Sequence, residues 1–128
     1  LEELDLTRFP NLRVLVCDYN NLTELDLSAC PKIEAVSCTN NKISNLILPD
    51  NTILRKVYIS SNELDAATLN EIFTDLPEAY VKYPYNSRDM IVPNYSNIQF
   101  NYNPGTGEAK KDIIKKKGWR IVEEQKKE

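Results

Sequence analysis

Histidine is missing from this sequence, and glycine nearly so: its three copies, Gly105, Gly107 and Gly118, all fall toward the end of the 128-residue chain. Without histidine there is neither the commonest general base nor the commonest metal ligand. Cysteine occurs three times, an odd number that leaves at least one thiol free or paired with another chain. No Cys-x-x-Cys offers half of a zinc site. A basic excess is lacking too. The net charge of −3 argues against a general nucleic-acid or polyanion binder, and it is too mild for an acidic disordered tail. No apolar run approaches the length needed to cross a bilayer, so no membrane insertion is expected of this segment. No basic-plus-apolar leader opens the chain. The chain starts in mid-pattern at Leu1, however, so the expectation is a mature or truncated piece of a longer protein, and the missing leader says little about location.

What the sequence does contain is a ladder. Leu12, Leu15, Cys17, Asn20 and Leu22 are followed by Ile33, Val36, Cys38, Asn41 and Ile43, then by Leu54, Val57, Ile59, Asn62 and Leu64, at a constant step of 21 residues. A fixed period in this range marks a stacked repeat, and Leu-x-x-Leu-x-Leu/Cys-x-x-Asn-x-Leu is the leucine-rich repeat spacing. Each unit carries another apolar arm: Leu1/Leu4/Leu6, Leu22/Leu25/Leu27 and Ile43/Leu46/Leu48. Apolar and polar residues alternate at the end of each arm, as in a strand with one buried side. Short strands are expected near 13–17, 34–38 and 55–59, stacked into a parallel sheet, because one unit alone cannot close a core. Asn20, Asn41 and Asn62 follow these strands where the chain turns. A buried asparagine can bond backbone groups of its own and the neighbouring unit, and it tolerates left-handed backbone. With no glycine in the repeats, asparagine is expected to carry the turns.

Beyond Leu64 the pattern changes. Asp65 is a suitable N-cap for a helix over 65–77, with Leu69, Ile72, Phe73 and Leu76 on one face and Pro77 as its stop. Residues 78–96 are irregular and hold Tyr80, Tyr83, Tyr85 and Tyr95. Ile98-x-Phe100-x-x-Asn103 then repeats the ladder. Pro104-Gly105-Thr106-Gly107 turns into a short helix near 108–117, which Gly118 ends, and Trp119, Ile121 and Val122 can close the core. The fold class is therefore α/β: a leucine-rich repeat solenoid with short parallel strands on the concave face, a mostly irregular convex side and a C-terminal helix-containing cap. A single domain spans 1–128, with regular repeats over 1–64, an irregular repeat with a helix and tyrosine-rich insertion over 65–104, and a cap and charged tail over 105–128.

The stretch LTELDLSACPKIEAVSCTNNK resembles the 21-residue, cysteine-containing repeat of internalin-like bacterial surface proteins. IQFNYNPGTGEAKKDIIKKKGWRIV resembles the closing segment of secreted bacterial proteins of this type. The resemblance implies a right-handed solenoid, exported to the cell surface or medium, that binds a protein or glycan partner. Two departures stand out: Ile47-Leu48-Pro49 replaces the Asp-Leu-Ser of another first arm, and residues 78–96 are long for a closing segment.

By register, the outward side of the strands presents Val14, Val16, Asp18, Ala35, Ser37, Thr39, Lys56, Tyr58, Ser60, Asn97, Gln99 and Asn101. Tyr58 is the best single anchor for a partner, since tyrosines at a half-buried edge are frequent hot spots. Tyr19 and Tyr102 flank it from adjoining turns, and Lys56, Gln99 and Asn101 complete the candidate surface. Tyr83 and Tyr85 can stack on sugar rings or dock a protein, or else pack over the end of the stack. Cys17 and Cys38 occupy equivalent inward positions and are read as structural thiols, with Asn20, Asn41, Asn62 and Asn103 as the structural amides. Cys30 is expected in a turn, partly exposed. The lysines at 110, 111, 115, 116 and 117 are interspersed with acids and read as a solvated helix face. Gly105-x-Gly107 lacks the spacing of a phosphate loop. No catalytic group, metal or cofactor is expected. The function expected is a non-enzymatic binding module, or alternatively a structural spacer or cap of a longer surface protein.

Overall fold

The computed structural model describes residues 2–50, 53–79 and 96–123. In chain order these form β1 (Val14–Val16), β2 (Glu24–Asp26), β3 (Ala35–Ser37), β4 (Asn45–Ile47), β5 (Lys56–Tyr58), α1 (Ala66–Asp75), β6 (Asn97–Gln99), α2 (Lys111–Lys116) and β7 (Arg120–Ile121). The architecture is α/β with two parallel sheets. One has five strands in the order β1-β3-β5-β6-β7; the other pairs β2 with β4. In the larger sheet Leu15, Val36, Val57, Ile98 and Ile121 stand in register. The side chains of Val36, Val57 and Ile98 are at most 1% exposed, so the apolar residues of the 21-residue period do share one inner face. Burying each such side chain contributes roughly 1.5–3 kcal/mol before entropy is set against it.

The second sheet departs from the expectation of a mostly irregular opposite side. Leu25 and Leu46 point inward between exposed neighbours, and that alternation is enough for Glu24–Asp26 and Asn45–Ile47 to pair in parallel. β7 is a further strand that the sequence pattern does not mark. It forms because Arg120 and Val122 donate their N–H groups to the Ser96 and Ile98 carbonyls, which extends the main sheet by one row.

The helix after the third unit has Asp65 as its N-cap, whose carboxylate accepts the Thr68 N–H at 2.8 Å. α2 begins later than position 108, because residues 104–109 are taken up by turns. Gly105 is required there: it passes so close to the start of α1 that a Cβ would strike the Asp65 and Ala66 backbone. Gly118 ends α2 in left-handed backbone at φ 82°. Phe73 of α1 meets Phe100 edge-on at 4.9 Å between ring centroids. Lys117 reaches from the end of α2 to the Phe73, Thr74 and Leu76 carbonyls at the end of α1, and the Trp119 indole donates to the Pro77 carbonyl at 2.8 Å. Among the described residues no helix is long and apolar enough to cross a membrane.

The asparagines bridge successive units. Asn62 donates to the Ile59 and Ser60 carbonyls of its own turn and to Cys38 of the unit before, while its Oδ1 accepts the Ile43 N–H. Asn41 does the same with Cys38 and Thr39, with Cys17, and with the Leu22 N–H. Asn103 bonds Phe100 and Ile59, and takes the N–H groups of Asn62 and Leu64. Among the described residues, Asn20 donates within its own turn, to Cys17 and Asp18. The left-handed residue of each turn is not the asparagine, as the sequence suggested, but the residue before it. Tyr19, Asn40, Ser61 and Tyr102 have φ between 57° and 61°. That conformation costs a non-glycine residue about 1–2 kcal/mol. It is held because the Tyr19, Asn40 and Ser61 N–H groups extend the ladder to the Thr39, Ser60 and Asn101 carbonyls.

Asn62→Ala is expected to lower stability by about 1–3 kcal/mol in urea unfolding, since buried carbonyls on two units lose their donor. Asn20→Ala should cost clearly less. Equal losses would mean that bridging between units is not what the amide contributes.

Candidate functional site

The outward side of the five-stranded sheet is a set of aligned rows. Val14, Ala35, Lys56, Asn97 and Arg120 form one; Val16, Ser37, Tyr58 and Gln99 form the next. Neighbouring strands of a sheet lie about 4.8 Å apart, so each row is a closely spaced line of side chains on a rigid backbone. Val14 is 57% and Val16 67% exposed, unusual for valine on a strand. Together with Ala35, Ser37, Lys56 and Tyr58 they line a shallow depression of about 330 Å³, whose rim carries Glu34 and Arg55.

Two flanks fix this surface. On one, Glu34 takes Arg55 at 3.5 Å and Arg13 at 3.9 Å. Arg13 is largely exposed, so its contribution is small, while the half-buried Arg55–Glu34 pair orients the rim. On the other flank the Asp18 carboxylate accepts the Ser37 hydroxyl and the Thr39 N–H, both at 2.8 Å. The Ser60 hydroxyl donates to Asn101 Oδ1 at 2.6 Å. Sequence reading missed the ion pairs. The signal was present: the position before each strand runs Arg13, Glu34, Arg55, opposite charges alternating at the 21-residue step.

Of the residues named from sequence, Lys56 and Tyr58 sit at the middle of the face, with Gln99 beside Tyr58 on the next strand. Asn101 is turned toward Ser60 along the edge. Tyr19 is 77% and Tyr102 43% exposed. They lie in the turns that follow β1 and β6, with β3 and β5 between, so they border the face from separate places rather than joining Tyr58 in one cluster. Tyr83 and Tyr85 lie outside the described residues. The Asn97 side-chain oxygen is buried without a hydrogen-bond partner among the described residues, beside Lys56 in the row.

The cysteines are all unpaired and all buried. Cys30 is not partly exposed as its place beside a proline implied: it is 0% exposed, and its thiol donates to the Phe9 carbonyl at 3.5 Å. Cys17 and Cys38 follow β1 and β3 on the inner side, where Ile59 and Phe100 occupy the same place in later units. Burial, aided by the Asp18 charge, pushes the Cys17 thiol up to about 11, and burial pushes Cys38 further. These are protonated, poorly nucleophilic thiols. Among the described residues no three candidate ligands come together to hold a metal.

No family model, curated protein or solved structure matches the chain.

The raised thiols make stability depend on alkaline pH. An unfolded cysteine ionises near its ordinary value of 9.0, whereas folded Cys17 keeps its proton until about 11. Above pH 9 the unfolded state therefore binds fewer protons, so stability is full below that point and falls as pH rises toward 11. Chemical unfolding followed from pH 8 to 11 should show this loss, and Cys17→Ala should reduce it, leaving the share that Cys38 contributes. An unchanged slope in the variant would remove the assignment.

Proposed function

We propose that this chain is a leucine-rich repeat module of an exported, internalin-like bacterial protein, and that it binds a protein or a glycan without catalysing a reaction. The contact surface is the outward face of the five-stranded sheet, which this reading takes as the concave side of a leucine-rich repeat solenoid. The observation that carries this reading is the composition of that face. Exposed Val14 and Val16 adjoin Lys56 and Tyr58 over a shallow depression, on a sheet whose other side is tightly packed. Exposed apolar side chains beside a tyrosine and a cation suit an incoming surface that supplies apolar contacts, a stacking ring or an acceptor for Lys56. The carboxylates nearby, Glu34 and Asp18, are engaged with Arg13, Arg55, Ser37 and Thr39, so they act as struts of the face. Location at the cell surface or outside the cell comes with the resemblance to internalin-like repeats.

A second reading, a spacer or cap within a longer surface protein, draws on Phe9, Leu12 and Leu15. These apolar residues are left partly uncovered at the β1 end of the stack.

Screening the chain on protein and glycan arrays should return a partner. Tyr58→Ala should weaken binding by roughly tenfold or more with the melting temperature unchanged, as for a hot-spot residue. Lys56→Ala should weaken it less. Tyr83→Ala and Tyr85→Ala test the tyrosine-rich segment in the same assay. Affinity indifferent to Tyr58 would remove the face as the site, and silence on both arrays would favour the spacer.

A further inference from the structure

The interior of the stack holds two thiols side by side. The hydrogen-bond ladder between the first two units runs on past β1 and β3: the Cys17 N–H donates to the Ser37 carbonyl at 2.8 Å and the Tyr19 N–H to the Thr39 carbonyl at 3.0 Å. Because Val16 stands opposite Ser37, Cys17 stands opposite Cys38. The Asn41 side-chain amide ties the two together, donating to the Cys17 carbonyl at 3.0 Å and the Cys38 carbonyl at 3.1 Å. Both side chains turn to the inner face, where Cys17 is 7% and Cys38 0% exposed. Side chains in register on adjacent parallel strands run alongside each other at the strand spacing, about 4.8 Å. A disulfide fits this poorly, since its two β-carbons approach to about 3.8 Å. A single soft metal ion between the sulfurs fits well. With metal–sulfur bonds of about 2.3 Å, a linear sulfur–metal–sulfur unit spans about 4.6 Å.

We propose that Cys17 and Cys38 form a two-coordinate site for a thiophilic divalent ion of the mercuric type. Two sulfur–metal bonds form, two sulfur–hydrogen bonds break, and both protons leave to solvent. Charge selects the valence of the ion. Burial first, and then the Asp18 charge, holds both thiols in their protonated form. A divalent ion on two thiolates replaces two protons without changing the charge of this dry place. A monovalent ion such as copper(I) would leave a negative charge there, near Asp18 and poorly solvated. Ligand number selects against zinc, which takes four. Among the described residues no third histidine, cysteine or carboxylate joins the pair. Ile59 holds the next place in the row, and Cys30 lies in another turn with its thiol on the Phe9 carbonyl. Two soft sulfurs without an oxygen or nitrogen partner suit a soft ion.

Titration of the full chain carrying Cys30→Ala with mercuric chloride tests this. One ion per chain is expected, with two protons released, two sulfur neighbours in X-ray absorption and the folded far-ultraviolet spectrum retained. The second thiol binds intramolecularly, so the ion should stay in place against a roughly tenfold excess of glutathione. Cys17→Ala and Cys38→Val, each added to the same background, should lose the ion to that excess. Zinc chloride at the same concentration should not be held. Two ions per chain, a neighbourhood of one or four sulfurs, loss of the folded spectrum on binding, retention of zinc, or an ion that survives glutathione in either single-thiol variant would each overturn the proposal.

Discussion

The turn after each strand leaves carbonyl groups pointing into a dry interior, and a side-chain amide has to meet them. Cys17, Cys38 and Ile59 each accept from an asparagine one unit further along, Asn41, Asn62 and Asn103. An unmet buried carbonyl costs about 1–3 kcal/mol, so a unit is incomplete until the next one is laid on it. The constraint is one of position across the stack rather than of chain length. Asn103 comes 41 residues after Asn62, with α1 between, yet it bonds the preceding unit in the same manner as the asparagines spaced by 21.

Because the turns are locked, the strands stay short and in register, and the two sides of the sheet become chemically independent. The inward line of Leu15, Val36, Val57 and Ile98 is uniformly apolar. The outward line beside it reads Val16, Ser37, Tyr58 and Gln99, with no common property. Packing dictates the first and leaves the second open. Such a division is what lets a stacked scaffold carry a recognition surface without loss of its core.

The parts of this arrangement that rest on local chemistry were legible in the sequence. The period, the inward residues of β1, β3 and β5, and the Asp65 cap all follow from spacing or from a single side chain. The rest depends on neighbours far along the chain. Nothing in a tyrosine marks it for left-handed backbone, and Tyr19 adopts it only because its N–H is drawn to Thr39 of the next unit. Cys30 looks exposed beside Pro31 until the stacked residues Leu6 and Phe9 are placed over it. β7 is two residues long and exists only because β6 offers it carbonyls. At the candidate site, parity gave the members of the face, but not the pairing of Glu34 with Arg55 that shapes its rim.

The two ends of the described stack are built differently. Toward α1 and α2 the core is closed by Phe73 on Phe100, by Trp119 buried with its indole on Pro77, and by the Lys117 ammonium over the last carbonyls of α1. Toward β1 the described residues supply no such cover, and the apolar side chains that a further layer would bury remain in contact with water. The outward face of the sheet mixes apolar and charged groups and can stay solvated when empty. A rigid face of this kind can be covered and uncovered without disturbing the core beneath it.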